Sequence, residues 1–400
     1  MEKLIIQGGK TLKGEVTISG AKNAALPILA ATLLTDEPCE ISNVPDLRDT
    51  VTMMKLLEFI GKEIRFENNT VTIHPGKKIK HIAPYDLVST MRGSFCVLGP
   101  LLGKLSKAKV SLPGGCVIGV RPVDLHLKGL GALGAKFKIE NGYVNARTKK
   151  LKGRHLYLGG VFGSSVLATA NVLMGAVLAE GITVIESAAC EPEIEDLADM
   201  LNKMGAKIKG QGSPKITIEG VTKLTGVKYK IIPDRIEAGT YILLAAATRS
   251  PFHIKGAKLE HLMALTDKLS YAGIHVYKED GVVKVQTKRI IKPVSVTTHP
   301  HPGFPTDLQA QFMAVMAFAS GVSVVTERVY PDRFIHIAEL NRMGANIRRE
   351  GPNAIIDGIA KLHGAPVMAS DLRASAALVI AGLAATGQTE IHRIYHLERG

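Results

Sequence analysis

The sequence predicts an α/β protein built from a repeated unit of about seventy residues. Two recurring markers support this prediction. The first is a helix-like segment that ends in glycine and leads into a strand-like segment. The second is a run of small residues, typical of a buried helix, followed by a turn and a strand. Helices and strands that alternate along a whole chain are typical of the α/β class.

The glycine marker recurs five times at nearly constant spacing. The glycines are Gly61, Gly134, Gly205, Gly273 and Gly344, separated by 73, 71, 68 and 71 residues. A glycine just past a helix end commonly adopts a left-handed backbone conformation in which a Cβ would be strained. We therefore expect a helix to end, and a strand to follow, at each of these positions.

The strand marker recurs six times, which sets the number of units. Units of this length are too long for a TIM barrel, whose units are nearer thirty residues. We therefore expect two domains of three repeats each, divided near residue 230 between the third and fourth copies. A sixth glycine is expected at about position 415, so we expect the last repeat to be truncated. The six markers lie around Ile41, Val110, Ile185, Ile254, Val325 and Ile391.

Each unit also contains a helix that begins after a polar or glycine-containing loop. Helix N-termini offer free N–H groups and a positive dipole end to anions. Lys22, Arg92 and Arg373 add full charges at three of these starts. Any single one is more often a solvated surface charge, but the recurrence predicts an anion site if the starts converge. The six starts are 19–23, 89–92, 163–165, 234–237, 306–309 and 371–375.

The composition of the chain limits the classes of partner that it is expected to bind. The formal net charge is +14, and the cations are read as spread along the chain without interleaved aromatic residues. This pattern favours small anionic metabolites over nucleic acid. No apolar run reaches transmembrane length and no leader is recognisable, so we expect no membrane partner. The four cysteines are far apart, which predicts neither a zinc site nor a disulfide framework and favours the reducing cytoplasm.

Three further observations argue against a bound cofactor or metal. The Gly129–Gly134 segment matches a dinucleotide-binding fingerprint, but a helix precedes it and a strand follows, which is the wrong order. His299 and His301 lack a third ligand at a useful spacing for zinc. No phosphate-binding loop of the ATPase type is present. We therefore expect no metal and no cofactor.

The stretch 111–126 contains the strongest catalytic candidate. Cys116 follows two glycines, with Arg121 and His126 nearby. A thiol on a glycine-rich loop is expected to be exposed, and neighbouring cations favour the reactive thiolate. A buried, inert thiol is the common alternative, but such a cysteine normally lies in an apolar periodic run.

The chain resembles the UDP-N-acetylglucosamine 1-carboxyvinyltransferase family of enolpyruvyl transferases, in the EPSP synthase superfamily. The resemblance covers nearly the whole chain and rests on five motifs: 18–27, 110–116, 304–307, 371–373 and 399–400. It implies two inside-out α/β barrel domains of three βαβαββ units each. We expect one at 21–230 and the other formed by 1–20 with 231–400, with a cleft between them. It also implies transfer of enolpyruvyl from phosphoenolpyruvate to the 3′-hydroxyl of UDP-N-acetylglucosamine, with release of phosphate, by addition and elimination. In this family the reaction begins peptidoglycan synthesis.

The resemblance also implies roles for individual residues. Cys116 would protonate the methylene carbon of phosphoenolpyruvate, form a covalent adduct and react with fosfomycin-type epoxides, and its loop would act as a lid. Asp307 would be the base near the sugar hydroxyl. Lys22 and Arg121 would hold the phosphate, and Arg373 and Arg399 the carboxylate. The implied sugar-nucleotide contacts are Asn23, Arg92, Arg121, Pro122, Val123, Asp124, Leu125, Val161, Phe162, Gly163, Ser164, Asp307 and Val329, with Asn23 also near phosphoenolpyruvate and with Arg333 and Asp371 supporting closure and the cleft.

Two departures from the family pattern keep alternatives open. The loop at 160–165 differs from the usual diphosphate loop, and the family normally continues past Gly400 with a helix and a strand. A non-catalytic sugar-nucleotide binder is therefore one alternative, although Cys116, Asp307, Lys22 and Arg121 are all present. The shikimate-3-phosphate enolpyruvyl transferase is another, and the Cys116 loop argues against it. Nucleic-acid binding would rest on charge alone.

Overall fold

Small β-sheets with one recurring strand order organise the chain. A computed structural model describes residues 2–114 and 123–399. The strands are β1 (Lys3–Gln7), β2 (Glu15–Thr17), β3 (Cys39–Ser42), β4 (Lys62–Glu67), β5 (Thr70–Pro75), β6 (Ile82–Ala83), β7 (Lys107–Ser111), β8 (Lys136–Glu140), β9 (Tyr143–Arg147), β10 (His155–Tyr157), β11 (Ile182–Glu186), β12 (Lys207–Lys209), β13 (Lys215–Glu219), β14 (Val227–Lys230), β15 (His253–Lys255), β16 (Ile274–Glu279), β17 (Val282–Thr287), β18 (Val296–Thr297), β19 (Val322–Thr326), β20 (Asn346–Glu350), β21 (Asn353–Asp357), β22 (Pro366–Met368) and β23 (Gln388–His392).

The helices alternate with these strands. They are α1 (Lys22–Ala31), α2 (Arg48–Ile60), α3 (Tyr85–Val88), α4 (Leu98–Leu105), α5 (Asp124–Ala132), α6 (Val166–Ala176), α7 (Pro192–Lys203), α8 (Arg235–Thr248), α9 (Met263–Tyr271), α10 (Gln309–Met316), α11 (His336–Arg342) and α12 (Leu372–Ala384). Short 3-10 helices are Thr32–Leu34, Arg92–Val97, Leu259–Leu262, Thr306–Leu308 and Ile394–Arg399. Among the described residues, no helix has the length and apolar character needed to cross a membrane.

The chain divides into two compact units. The inserted unit comprises 20–114 and 123–232, and the terminal unit comprises 2–19 and 233–399. The sheets of the inserted unit have the orders β14-β3-β5-β4, β6-β7-β9-β8 and β10-β11-β13-β12. Those of the terminal unit have the orders β2-β15-β17-β16, β18-β19-β21-β20 and β22-β23-β1. The α/β class predicted from the two markers is confirmed.

Every four-stranded sheet uses the same pairing. The first strand runs parallel to the second, and the second and fourth both run antiparallel to the third. In the sixth sheet, three strands are present in the described residues, and β1 occupies the third place by pairing antiparallel with β23. A strand from the start of the chain therefore completes a sheet whose other strands lie near its end.

Small aliphatic residues allow three helices of each unit to pack closely. Helix α6, for example, buries nine consecutive residues from Ala168 to Ala176 and packs against α4 and α1. In the terminal unit α8, α10 and α12 pack against one another in the same way. A helix that is apolar on all sides is stable only in a core. The sheets therefore lie around these helices, each with its alternate residues turned inward.

The local expectations from sequence are confirmed at most positions. The five marker glycines, at 61, 134, 205, 273 and 344, all have positive φ, between 81° and 122°. Helices begin at each predicted start, with Ser165, Asp234 and Asp371 as side-chain N-caps. Helix α5 precedes Gly134 and β8 follows it, which is opposite to a dinucleotide-binding turn.

Candidate active site

Asp307 lies between two arginines in the terminal unit. Arg333 Nη1 donates to Oδ1 at 2.7 Å, and Arg373 Nη2 donates to Oδ2 at 3.2 Å. The arginine side chains are only 7% and 10% exposed, whereas the Asp307 side chain is 26% exposed. Two guanidinium donors strongly favour the ionised carboxylate. The negative charge of Asp307 is thus balanced by two arginines, while part of its carboxylate stays exposed.

The start of α12 positions Arg373. The Asp371 carboxylate accepts hydrogen bonds from the backbone N–H groups of Arg373 at 2.8 Å and Ala374 at 3.2 Å. Such an N-cap satisfies N–H groups that have no partner within the helix. The first turn is therefore fixed, and with it the direction from which Arg373 reaches Asp307.

Charges around Arg333 keep it cationic despite burial. Burial alone would lower the pKa of this guanidinium, but the carboxylates of Asp307 and Asp371 outweigh that effect and the pKa is raised. The neighbouring His336 behaves oppositely, because burial lowers its pKa to about 4. Its Nε2 contacts the Met313 sulfur at 3.2 Å. At neutral pH the cluster therefore contains a charged arginine beside a neutral histidine.

Glu327 supports the segment that carries Asp307, and the sequence analysis missed it. Its fully buried carboxylate accepts from the Thr298 hydroxyl at 2.7 Å and the Thr306 hydroxyl at 2.9 Å. It also accepts from the backbone N–H groups of Val329 at 2.8 Å and Tyr330 at 2.9 Å. A signal was available, because strand alternation continues the inward positions of β19 to residue 327, where an unpaired acid would be costly.

Arg399 lies near the same helix start. It belongs to the half-buried 3-10 helix Ile394–Arg399, which packs against α12. Burial first, and then the charge of Arg399, lower the pKa of His396, while Asp371 acts in the opposite direction. The structure thus places Asp307, Arg373 and Arg399, which are far apart in sequence, in one region of the terminal unit.

In the inserted unit Lys22 is a buried cation at the start of α1. Its Nζ lies 3.3 Å from Asp49 Oδ2, and the two side chains are 9% and 8% exposed. Asp49 was not predicted, because an acidic residue in the first turn of a helix is common and carries no special signal. A desolvated ammonium at a helix N-terminus suits an anionic ligand. Asn23, the next residue of the same turn, is half-buried.

Arg92 opens a 3-10 helix beside a buried histidine. Burial first, and then the positive charge of Arg92, lower the pKa of His126 to about 3. Gly99 N donates to Asn171 Oδ1 at 2.6 Å, so Asn171 Nδ2 faces His126 Nδ1 at 2.7 Å. A neutral ring that accepts at Nδ1 carries its proton on Nε2. His126 is therefore a neutral donor near Arg92.

Two segments predicted to contact the sugar nucleotide lie together. Val123 precedes α5, in which Asp124 and Leu125 are the first two residues. A Cβ placed on Gly160 would lie 3.0 Å from Leu125 Cδ1. Reciprocal backbone hydrogen bonds between Gly160 and Gly163, at 2.8 and 3.1 Å, close a tight turn. This turn exposes Val161 and Phe162, by 96% and 57%, and Ser164 follows it.

Of the remaining predicted site residues, one lies within the part of the chain that the structure describes and three lie outside it. Val329, half-buried, is held through its N–H group by Glu327. Cys116, Arg121 and Pro122 lie outside the described residues. Within 2–114 and 123–399, no three His, Cys, Asp or Glu side chains are grouped as a metal site would require.

Comparison with known proteins gives the family. The sequence model described as EPSP synthase (3-phosphoshikimate 1-carboxyvinyltransferase) matches residues 6–400. The chain belongs to the EPSP synthase family. Within this family, the UDP-N-acetylglucosamine 1-carboxyvinyltransferase of Trichlorobacter lovleyi is 53% identical over 401 residues, covering 100% of this chain and 95% of that protein. The protein of the same name from Desulfatibacillum aliphaticivorans is 52% identical, with the same coverage.

Two solved structures have a fold similar to that of this chain. The enolpyruvyl transferase NikO from Streptomyces tendae has a TM-score of 0.89 at 25% identity and covers 100% of this chain and 94% of its own. EPSP synthase from Acinetobacter baumannii has a TM-score of 0.74 at 20% identity, covering 98% and 94%, which shows the shared fold.

Proposed function

We propose that this chain transfers the enolpyruvyl group of phosphoenolpyruvate to the 3′-hydroxyl of UDP-N-acetylglucosamine and releases phosphate. The observation that carries the proposal is the full-length identity of just over half with relatives named for this reaction. The structural feature that suits this reaction is the Asp307 carboxylate, which two arginines hold in place and which stays partly accessible. The activity belongs to peptidoglycan synthesis.

Asp307 is the proposed base for the sugar hydroxyl. A base must be ionised and within hydrogen-bond reach of the proton it accepts. The two guanidinium groups that clamp Asp307 keep it ionised, and its exposed edge leaves an oxygen lone pair for the hydroxyl. The buried Arg333 orients this carboxylate, while Arg373 and Arg399 are proposed to hold the substrate carboxylate.

The phosphate of phosphoenolpyruvate is assigned to Lys22 and Arg121. Lys22 is buried, so little water screens its charge, and a bound anion would share this ammonium with Asp49, which lies 3.3 Å away. Fixed cations that face developing negative charge stabilise a transition state more than the ground state. Arg121 and the proposed proton donor Cys116 lie outside the described residues, and their roles rest on the family resemblance.

The chemistry balances as an addition followed by an elimination. The Cys116 thiol gives a proton to C3 of phosphoenolpyruvate while the sugar oxygen bonds to C2 and passes its proton to Asp307. The C2–O bond to phosphate then breaks, and C3 returns its proton to the Cys116 sulfur. Phosphate leaves with the proton held by Asp307. No cofactor or metal takes part in this proposal.

The sugar nucleotide is proposed to bind along the inserted unit. The adjacent segments 123–125 and 160–164 supply apolar side chains, including the exposed Phe162. Arg92 and Asn23 add polar contacts at helix starts, and Val329 is a further proposed contact residue. We place the enzyme in the cytoplasm, where the free thiols of Cys39, Cys96 and Cys190 would stay reduced.

Phosphate release from phosphoenolpyruvate tests the proposal. The expected result is release that requires UDP-N-acetylglucosamine, and that falls at least about 100-fold in Asp307→Asn as expected for a lost general base. Asp357→Asn, an exposed aspartate of β21 in the same unit, is the matched control and should keep full activity. Release with shikimate 3-phosphate instead, or equal loss in both variants, would contradict the proposal.

A further inference from the structure

The net charge of the chain is concentrated in one segment. Residues 77–154 contain sixteen Lys and Arg and three acidic residues, a net +13 of the chain's +14. Cations occur along the whole chain, as interpreted from the sequence, but this segment has more of them and few acidic residues, so the net charge is concentrated there. The segment corresponds to the second sheet of the inserted unit and its flanking loops.

Five of these cations lie on one face of that sheet. Strand register aligns Lys107, Arg147 and Lys136 in one row across β7, β9 and β8. The next outward row aligns Lys109 and Lys138 on either side of a single asparagine. The residues that alternate with these rows on β7 and β9 turn inward, with Ala108, Val110, Val144 and Ala146 buried. We call the five cations and their row partner Asn145 the basic face.

The other repeats avoid this arrangement. At the position of Arg147, β13 has Glu219, which forms an ion pair with Lys207 of β12. At the same position β21 has Asp357, opposite Asn346 of β20. Like charges placed directly opposite one another destabilise a sheet. The second repeat therefore carries a stability cost that its sister repeats do not.

Further cations border the basic face on both sides. A hollow of about 480 Å³ is lined by Lys78, Lys80, His81 and Lys107. A second hollow of about 520 Å³ is lined by Lys136, Arg147, Lys149, Lys150, Lys152 and Arg154. Lys150 pairs with Glu180 at 2.9 Å. Burial lowers the pKa of His81, and the charges of Lys107, Arg147 and Lys109 lower it further.

We propose that the basic face docks on an anionic membrane surface. Lys138 forms an ion pair with Glu140 of the same strand, so the other four cations supply most of the attraction. Together they form a broad, shallow surface that matches a layer of anionic lipid headgroups. Single-stranded nucleic acid would need exposed rings for stacking. Tyr143, on the same side of the sheet, is covered by Lys109 Nζ at 4.9 Å from its centre, and Phe59, in the first hollow, is covered by Lys80 Nζ at 4.5 Å. The chemistry thus favours lipid headgroups over nucleotide bases.

Co-sedimentation with vesicles tests this docking. The full-length protein is mixed with vesicles containing either 30% phosphatidylglycerol or only phosphatidylcholine, at low and high salt. We expect binding only to the anionic vesicles, lost at high salt because exposed charges are then screened. No binding to anionic vesicles would overturn the proposal, and so would tighter binding to a single-stranded RNA at the same salt.

One substitution tests whether vesicle binding depends on the basic face itself or only on the net charge of the protein. Arg147→Glu recreates the acidic residue of the sister repeats, so it should fold with an unchanged or higher melting temperature and full phosphate release. Vesicle affinity should fall about tenfold or more, since one cation becomes an anion. Arg348→Glu makes the same charge change on β20 of the terminal unit and should retain binding. Equal loss in both variants would refute the assignment, and Lys109→Gln with Lys138→Gln gives an independent check.

Discussion

Replacement of Glu327 by glutamine tests whether this buried carboxylate supports the Asp307 segment. It accepts four hydrogen bonds, at 2.7 to 2.9 Å, from two hydroxyls and two backbone N–H groups. Bonds to a charged acceptor contribute about 1.5–3 kcal/mol each and neutral ones about 0.5–1.5 kcal/mol. Glutamine keeps one oxygen for three of the donors and loses about 1 kcal/mol on each. The Thr306 hydroxyl loses its acceptor outright.

The sum of these losses is about 4 kcal/mol. Removal of a buried charge returns part of it, so we expect a net destabilisation of about 2–3 kcal/mol. For a unit of this size each kcal/mol lowers the melting temperature by about 2–4 °C, which predicts a fall of roughly 5–10 °C. Thermal unfolding measured by circular dichroism gives this value directly.

Activity should change in the same variant, for a reason that the structure supplies. Thr306 Oγ1 also accepts from Arg333 Nη1 at 3.2 Å, so it links Glu327 to the Asp307 clamp. We expect a lower kcat with little change in either KM. Glu350→Gln, an exposed glutamate of β20, is the control and should shift stability by less than about 0.5 kcal/mol. A Glu327→Gln protein that melts like the wild type would refute the reasoning.

Three further predictions concern other parts of the fold. Gly205→Ala should destabilise by about 1 kcal/mol because its φ is 100°, whereas Gly131→Ala, inside α5 with its nearest new contact at 3.6 Å, should be neutral or stabilising in urea unfolding. Phe162→Ala should raise the KM for the sugar nucleotide several-fold without moving the melting temperature, since the ring is 57% exposed; an unchanged KM would remove Phe162 from the site. His336 has a pKa near 4 when folded and about 6.5 when unfolded, so its contribution to stability is present above pH 6.5 and is lost as pH falls toward 4. His336→Gln should flatten that part of the stability profile, and an unchanged slope would contradict the assignment.

The sequence predicted the repeats because backbone chemistry marks them. A glycine at a helix end has one conformational purpose, so five glycines at even spacing located five helix–strand junctions. The chain also showed Asp307, Arg373 and Lys22 as chemically suitable residues at helix starts. These features are local, and local chemistry is visible in a single sequence.

The partners of those residues could not be predicted, because they depend on distance in space. Asp307 and Arg373 are separated by 66 residues, and Lys22 and Asp49 by 27. Neither spacing corresponds to a helix or strand period. The row of Lys107, Arg147 and Lys136 was missed for the same reason, since only strand register shows that the three cations are adjacent.

The pairing of β1 with β23 has a consequence for biosynthesis. Ile5 pairs with Glu390, so the two partners are synthesised 385 residues apart. At a synthesis rate of roughly 5–20 residues per second, β23 is made about 20 to 80 seconds after β1. All residues of the inserted unit are made during that interval and can fold first. The opening segment of the chain is therefore an unpaired strand during most of translation, available to chaperones and exposed to premature association.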